Sequence, residues 1–397
     1  MKKLTAFLLI SLSWTVIAQP KEFPVRTVLN SFVANKTLGG CIAVVATKSD
    51  ILTLETTGFA GLDKKKPIRP NTMFWIASIT KPMVAVCVLQ LQEAGKLSID
   101  DPVEKHLPEF ASQWMIESAD NGKLALKKPA RPITIRDLLT HTSGLTTPDA
   151  PRPESTLAEL AMAYSKTPLE FEPGSRWKYS NAGSNLLGRI VEITSGKSFA
   201  NYFQENVLDA CGMKNTTFWP TQTQTKRIAT SYVHTGDGKL LPTHEIFLKG
   251  GLTNRKRTPF PRGGLYSTAT DVVQFYQMML NDGMYKGKRV LTKDSVALMT
   301  HNQTGNLKTG FFDGLCWGLG FGLIKTPNGM TAALSPGTYG HGGGLATLSY
   351  ADPKTGRIVV MLPQYSSVRV GDISGVLKKH STIVTELMAA VQKQHGR

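Results

Sequence analysis

Acidic residues are scarce in this chain, and so are the short motifs that mark most metal, nucleotide and hydrolase sites. Aspartate and glutamate number 29 against 46 lysines and arginines, a formal charge of +17 over 397 residues. The eight histidines form no HExxH or HxH pattern, so a zinc site has little support and no metal or organic cofactor is expected. No GxSxG occurs, which removes the nucleophile elbow of α/β-hydrolases. Neither GxxxxGK[ST] nor a strand-linked GxGxxG is present, so no loop is shaped to cradle a phosphate. The four cysteines, Cys41, Cys87, Cys211 and Cys316, lack CxxC spacing, which argues against a metal or redox pair. Cys41 and Cys87 lie in apolar runs and read as buried free thiols, with disulfide pairing left open. No internal stretch reaches about 18 consecutive apolar residues, which excludes a multi-span membrane protein.

What is present describes a packed globular chain: 41% hydrophobic, 19% charged and 8% aromatic residues exclude a disordered tail, a collagen-like fibre and a coiled coil. The basic excess first suggests a polyanion. Its densest runs, Lys64-Lys65-Lys66 and Arg255-Lys256-Arg257, are short and lack aromatic interleaving. They read as solvated surface rather than a nucleic-acid site, and the field favours an anionic neighbour such as a cell-envelope polymer. At the N-terminus, Lys2 and Lys3 precede an apolar run, Leu4–Ala18, with Val16 and Ala18 at the −3 and −1 positions of a cleavage site before Gln19. Residues 1–18 are therefore expected to be a signal peptide, giving a periplasmic or secreted protein with no transmembrane segment once it is removed.

The rest divides by texture. Residues 19–100 hold a buried strand, Cys41–Thr47, its hairpin partner Leu52–Thr56, and a deeply buried helix starting near Ser78 and closed by Gly95. Residues 101–262 read as a mainly helical lobe of short helices, among them Ala182–Thr194 closed by Gly196. Residues 263–397 return to strands: Trp317–Lys325, Leu345–Tyr350 and Arg357–Leu362, with helices at 270–281, 293–300 and 375–393. The expected fold is α/β (α+β), one lobe built from both ends with a helical lobe inserted into it.

Three constellations could carry chemistry. Ser78 and Lys81 lie three residues apart at a helix start, on one face, where free N–H groups and the dipole favour negative charge. A serine nucleophile needs a neighbour to take its proton, and a desolvated lysine can do so. The spacing also occurs in Ser175-Arg176-Trp177-Lys178, which no buried helix follows. Tyr179-Ser180-Asn181 offers a phenol that beside a cation could act as base and then acid, and an amide that could hold a carbonyl; Asn181 would equally serve as a helix N-cap. His341-Gly342-Gly343-Gly344 offers open backbone N–H groups of the kind an oxyanion site requires, with His341 as a polar or cationic wall.

In this order along one chain, Ser-x-x-Lys, Tyr-x-Asn and His-Gly-Gly resemble the serine β-lactamase and penicillin-binding-protein superfamily, in particular the branch of class C β-lactamases, serine DD-peptidases and related esterases. The surrounding words are similar too: FWIASITK at 74–81, DLLTHTSGL at 137–145, FEPGSRWKYSN at 171–181 and GGLYSTATD at 263–271. The resemblance implies an antiparallel sheet flanked by helices, with Ser78 as the acylated nucleophile, Lys81 as its assisting amine and Tyr179 as the base. It further implies that Asn181 and His341 position substrate and that the oxyanion hole lies in the run Gly343-Gly344, formed by the N–H groups of Ser78 and Gly344. Whether Lys81 or Tyr179 takes the serine proton stays open. Where class C enzymes carry Lys-Thr-Gly, this chain has His341-Gly342-Gly343, which weakens recognition of a β-lactam carboxylate. An esterase or DD-peptidase acting on an ester or amide carbonyl is thus expected ahead of a β-lactamase, an acyl transferase or a non-catalytic cell-wall-binding relative. His141 and Arg262 read as structural.

Overall fold

The computed structural model describes residues 24–120, 122–148, 154–234, 239–248, 250–365, 368–369 and 373–396; the expected signal peptide, residues 1–18, lies outside them. A seven-stranded antiparallel sheet organises the chain. Its strands are β1 (Gly40–Thr47), β2 (Ile51–Gly58), β3 (Leu315–Trp317), β4 (Gly322–Ile324), β5 (Tyr339–Gly342), β6 (Leu348–Asp352) and β7 (Arg357–Gln364), in the spatial order β3-β4-β5-β6-β7-β1-β2. The N-terminal hairpin thus completes a sheet laid down by the C-terminal third. Strand β1 pairs with β7 along its whole length, from Gly40 opposite Gln364 to Thr47 opposite Arg357.

Alternation along these strands decides what each face buries. Ile42, Val44 and Ala46 of β1, with Ile358, Val360 and Leu362 of β7, join the larger core beneath the helices Thr80–Glu93, Asn181–Ser195 and Ala269–Leu280. Cys41, Ala43 and Val45, with Val359 and Met361, face a second core closed by the terminal helices Pro24–Ala34 and Ile373–His395. The helix Thr80–Glu93 is apolar nearly all round and, from Thr80 to Leu89, entirely buried, as a central core helix must be. Gly95, at φ 67°, ends it in the left-handed conformation that releases the chain. No helix among the described residues is long and apolar enough to cross a membrane.

Several expectations need correction. The strand expected at Leu345–Tyr350 begins only at Leu348, because Ala346 takes a positive φ of 55° and turns the chain out of the ladder. The single segment expected at Trp317–Lys325 is a hairpin, β3 and β4. An exposed two-stranded ribbon, Met115–Asp120 with Lys123–Lys127, interrupts the helical region. Arg257 is not solvated surface: it is 1% exposed and donates to the Phe218 carbonyl. All four cysteines are free and buried, and burial pushes the thiols of Cys41 and Cys211 up to about 12, well away from reactive thiolates.

Candidate active site

Ser78 sits in a single 3₁₀ turn, Ala77–Ile79, that feeds directly into the buried helix. The residue before it, Ala77, holds φ 46°, a left-handed value that strains any residue with a Cβ. Thr80 fixes that conformation by donating its hydroxyl to the Ala77 carbonyl (2.7 Å). The turn leaves Ser78 half-buried and reachable while everything after it is core.

Lys81, one turn on, is 3% exposed. Its Nζ lies 3.1 Å from Ser78 Oγ and donates to Asn181 Oδ1 (3.0 Å) and to the Arg262 carbonyl (2.5 Å). Burial, and after it the charge of Arg262, holds the amine well below the usual lysine range. Asn181 is free to face Lys81 because it is not the helix cap: Ser180 is, its hydroxyl accepting from the Gly183 N–H (3.2 Å).

Tyr179 brings its ring to within 4.8 Å of Lys81 Nζ. Its hydroxyl is buried and has no hydrogen-bond partner. Burial drives the phenol above its ordinary range, and the approach of Ser78 offsets this only in part. Burial therefore disfavours the phenolate envisaged from the sequence. His341 differs in the same way from a cationic wall: it is 6% exposed, and burial followed by Lys81 takes its pKa down to about 3. Strand β5 carries it, anchored where Ser349 donates to the His341 carbonyl (2.9 Å).

The glycine run divides its tasks. The Gly343 N–H is occupied by the Thr347 carbonyl (2.8 Å), so it does not face the crevice as an open donor. A Cβ on Gly343 would lie 2.9 Å from the Ile76 carbonyl and 3.1 Å from Ala77 Cβ; this residue packs the loop against the Ala77–Ile79 turn. Gly344, next along, is exposed, and a Cβ there would meet nothing. The second serine-lysine pair goes elsewhere: Lys178 is ion-paired with Glu170 at the surface.

Sequence reasoning missed the rings around these groups. His141, at φ 61°, accepts the Ser180 N–H on Nδ1 (3.2 Å) and lies 4.5 Å from the Tyr179 ring. Trp317 stands 5.3 Å from His141 and 5.9 Å from His341, and Phe311 stands 5.3 Å from Tyr179. Only the word DLLTHTSGL pointed toward any of them. A serine hydroxyl, a buried amine and a buried phenol thus lie together, a set that can move a proton and carry an acyl group.

Comparison with known proteins identifies the family. The Beta-lactamase family description matches residues 25–370, and the chain belongs to that family. It is 31% identical over 354 residues to an uncharacterized protein of Mycobacterium tuberculosis (strain CDC 1551 / Oshkosh), covering 83% of this chain and 86% of that one. It is 31% identical over 280 residues to Penicillin-binding protein 4 of Amycolatopsis lactamdurans, covering 70% and 67%. Among solved structures it shares its fold with EstCE1, a hydrolase with promiscuous acyltransferase activity, at a TM-score of 0.71 and 22% identity over 91% of this chain and 97% of that one.

Proposed function

We propose that the protein is an exported serine hydrolase acting on an ester or amide carbonyl through an acyl-serine intermediate. One observation carries the reading: Lys81, buried and with its pKa lowered, holds Nζ 3.1 Å from Ser78 Oγ. A neutral amine has two N–H donors and one lone pair. Nζ is within hydrogen-bond reach of Ser78 Oγ (3.1 Å), Asn181 Oδ1 and the Arg262 carbonyl; once deprotonated, it keeps its two N–H donors on the last two and turns its lone pair to the Ser78 hydroxyl. In this mechanism Lys81 takes that proton as Ser78 Oγ bonds to the substrate carbonyl carbon. The oxyanion lies against the N–H groups of Ser78 and Gly344. Tyr179 protonates the departing alcohol or amine as its bond to carbon breaks, and Lys81 returns the serine proton to the phenolate. Water then enters by the same path, Tyr179 and Lys81 accepting its proton and returning it to Ser78 as the acid leaves. Asn181 holds Lys81 in place and stands ready for the substrate carbonyl side.

The family supports hydrolase or acyl-transfer chemistry, and the histidine at the third motif favours ester or peptide over β-lactam. A fluorophosphonate should label Ser78 and nothing else. Ser78→Ala should lose turnover of a 4-nitrophenyl ester by about 10⁴–10⁶-fold. No adduct on folded protein, or an adduct elsewhere, rejects the assignment and leaves the non-catalytic reading.

A further inference from the structure

Exposed aromatic side chains scattered singly on a surface need no explanation. Here two of them pack on residues that adjoin the candidate site. Phe311, 51% exposed, packs on Tyr179 at 5.3 Å and edge-on to Trp177 at 5.7 Å. On the other side Phe247, 41% exposed, stacks on Trp75 at 5.7 Å with the ring planes 28° apart. Trp75 is itself tied to the site, its indole N–H donating to the Gly263 carbonyl (2.6 Å), and Gly263 packs against the Ser78 backbone. Each ring is therefore partly exposed and packed on its far side, Phe311 on Tyr179 itself and Phe247 on Trp75, which reaches the Ser78 backbone through Gly263.

The candidate site offers a carboxylate little. Lys81 is turned toward Ser78, Asn181 and the Arg262 carbonyl. The Arg262 guanidinium lies over the Phe260 ring and reaches toward the Phe247 carbonyl at 3.5 Å. His341, at the position where a charged group would meet a substrate acid, is buried and neutral. A carboxylate brought between these rings loses its water and gains no matching charge at the third motif.

We propose that the crevice selects uncharged esters carrying a flat apolar group, with Phe311 and Phe247 as the specificity-determining residues that grip it. This rests on the serine-hydrolase reading above. The test uses the purified protein and matched substrates. 4-Nitrophenyl pentanoate and mono-4-nitrophenyl glutarate differ mainly in a terminal carboxylate, and the neutral ester should be favoured by about tenfold or more in kcat/KM. Phe311→Ala and Phe247→Ala should each lower the ratio of kcat/KM for 4-nitrophenyl phenylacetate over 4-nitrophenyl acetate by about five- to tenfold, mainly through KM. Leu124→Ala, removing an equally exposed side chain on the distant ribbon, should leave that ratio alone. Equal turnover of the charged and neutral esters, or a ratio unmoved in both phenylalanine variants, overturns the inference while a Ser78 adduct keeps the hydrolase reading alive. Absence of both adduct and turnover overturns the two together.

Discussion

Removing the Tyr179 hydroxyl separates chemistry from architecture. That oxygen is buried without a hydrogen-bond partner, while the ring it sits on touches His141 at 4.5 Å, Phe311 at 5.3 Å and His341 at 6.1 Å. Phenylalanine keeps the ring contacts and deletes the orphaned polar atom. An unpaired buried hydroxyl costs about 1–3 kcal/mol. Losing it should stabilise the fold by about 1 kcal/mol once the loss of the weak Ser78 approach is allowed for. In a chain of this size that is a rise in Tm of about 1–2 °C. Turnover should move the other way, by about 10²–10⁴-fold, as expected for loss of a positioned acid. Scanning calorimetry and a 4-nitrophenyl ester assay on Tyr179→Phe measure the two effects on one sample. A lower Tm refutes the idea that the oxygen is orphaned. Turnover within tenfold of the parent refutes its role as acid and gives all proton traffic to Lys81.

The acid limb of the pH–rate profile should belong to Lys81. The amine must be neutral to accept the serine proton, so kcat/KM rises with pH through its lowered pKa and falls as acid protonates it. His341, already neutral above about 3, should not shape that limb; a limb displaced by His341→Gln assigns it wrongly. Lys81→Arg, which cannot deprotonate, should lose about 10²–10⁴-fold at every pH. Gly343→Ala would set a methyl 2.0 Å from Thr347 Oγ1 and 2.9 Å from the Ile76 carbonyl. The loop bearing Gly344 must shift, and kcat should fall by about 10²–10³, as when one oxyanion donor is lost; kcat within threefold would mean that the loop absorbs the methyl.

The site was legible where function imposes a local backbone requirement. A serine and lysine one turn apart at the head of an all-apolar helix, and glycines at a close backbone approach, are visible in the letters. Asn181 is ambiguous in the letters, since Ser and Asn both cap helices, and only the geometry shows Ser180 capping while Asn181 faces Lys81. The rings were not legible. Phe311, in a loop, and Trp317, at the end of β3, lie more than a hundred residues beyond Tyr179, and their convergence is a property of the folded sheet. Arg257 misled because a run of basic letters carries no sign of burial. The β6 boundary misled because LATLSY alternates like a strand, while the positive φ at Ala346 is invisible to periodicity.

Ala77 explains why three such distant segments hold one geometry. A non-glycine residue at φ 46° reverts to ordinary backbone unless its surroundings forbid it. Here two glycines close in on it: a Cβ on Gly263 would lie 3.1 Å from the Ala77 carbonyl carbon, and one on Gly343 3.1 Å from Ala77 Cβ. Thr347 adds a hydrogen bond to the Ile76 carbonyl at 3.3 Å. The strained turn that exposes Ser78 and the loop that carries Gly344 therefore share one packed contact rather than meeting as independent surface loops. Relaxing Ala77 would move the Ser78 N–H and the loop beside it together. The spacing between Ser78 and the Gly343-Gly344 loop, the proposed nucleophile and oxyanion donor, is thus held by core packing, which is stiff because it is dense, and the strain is the consequence of holding it there.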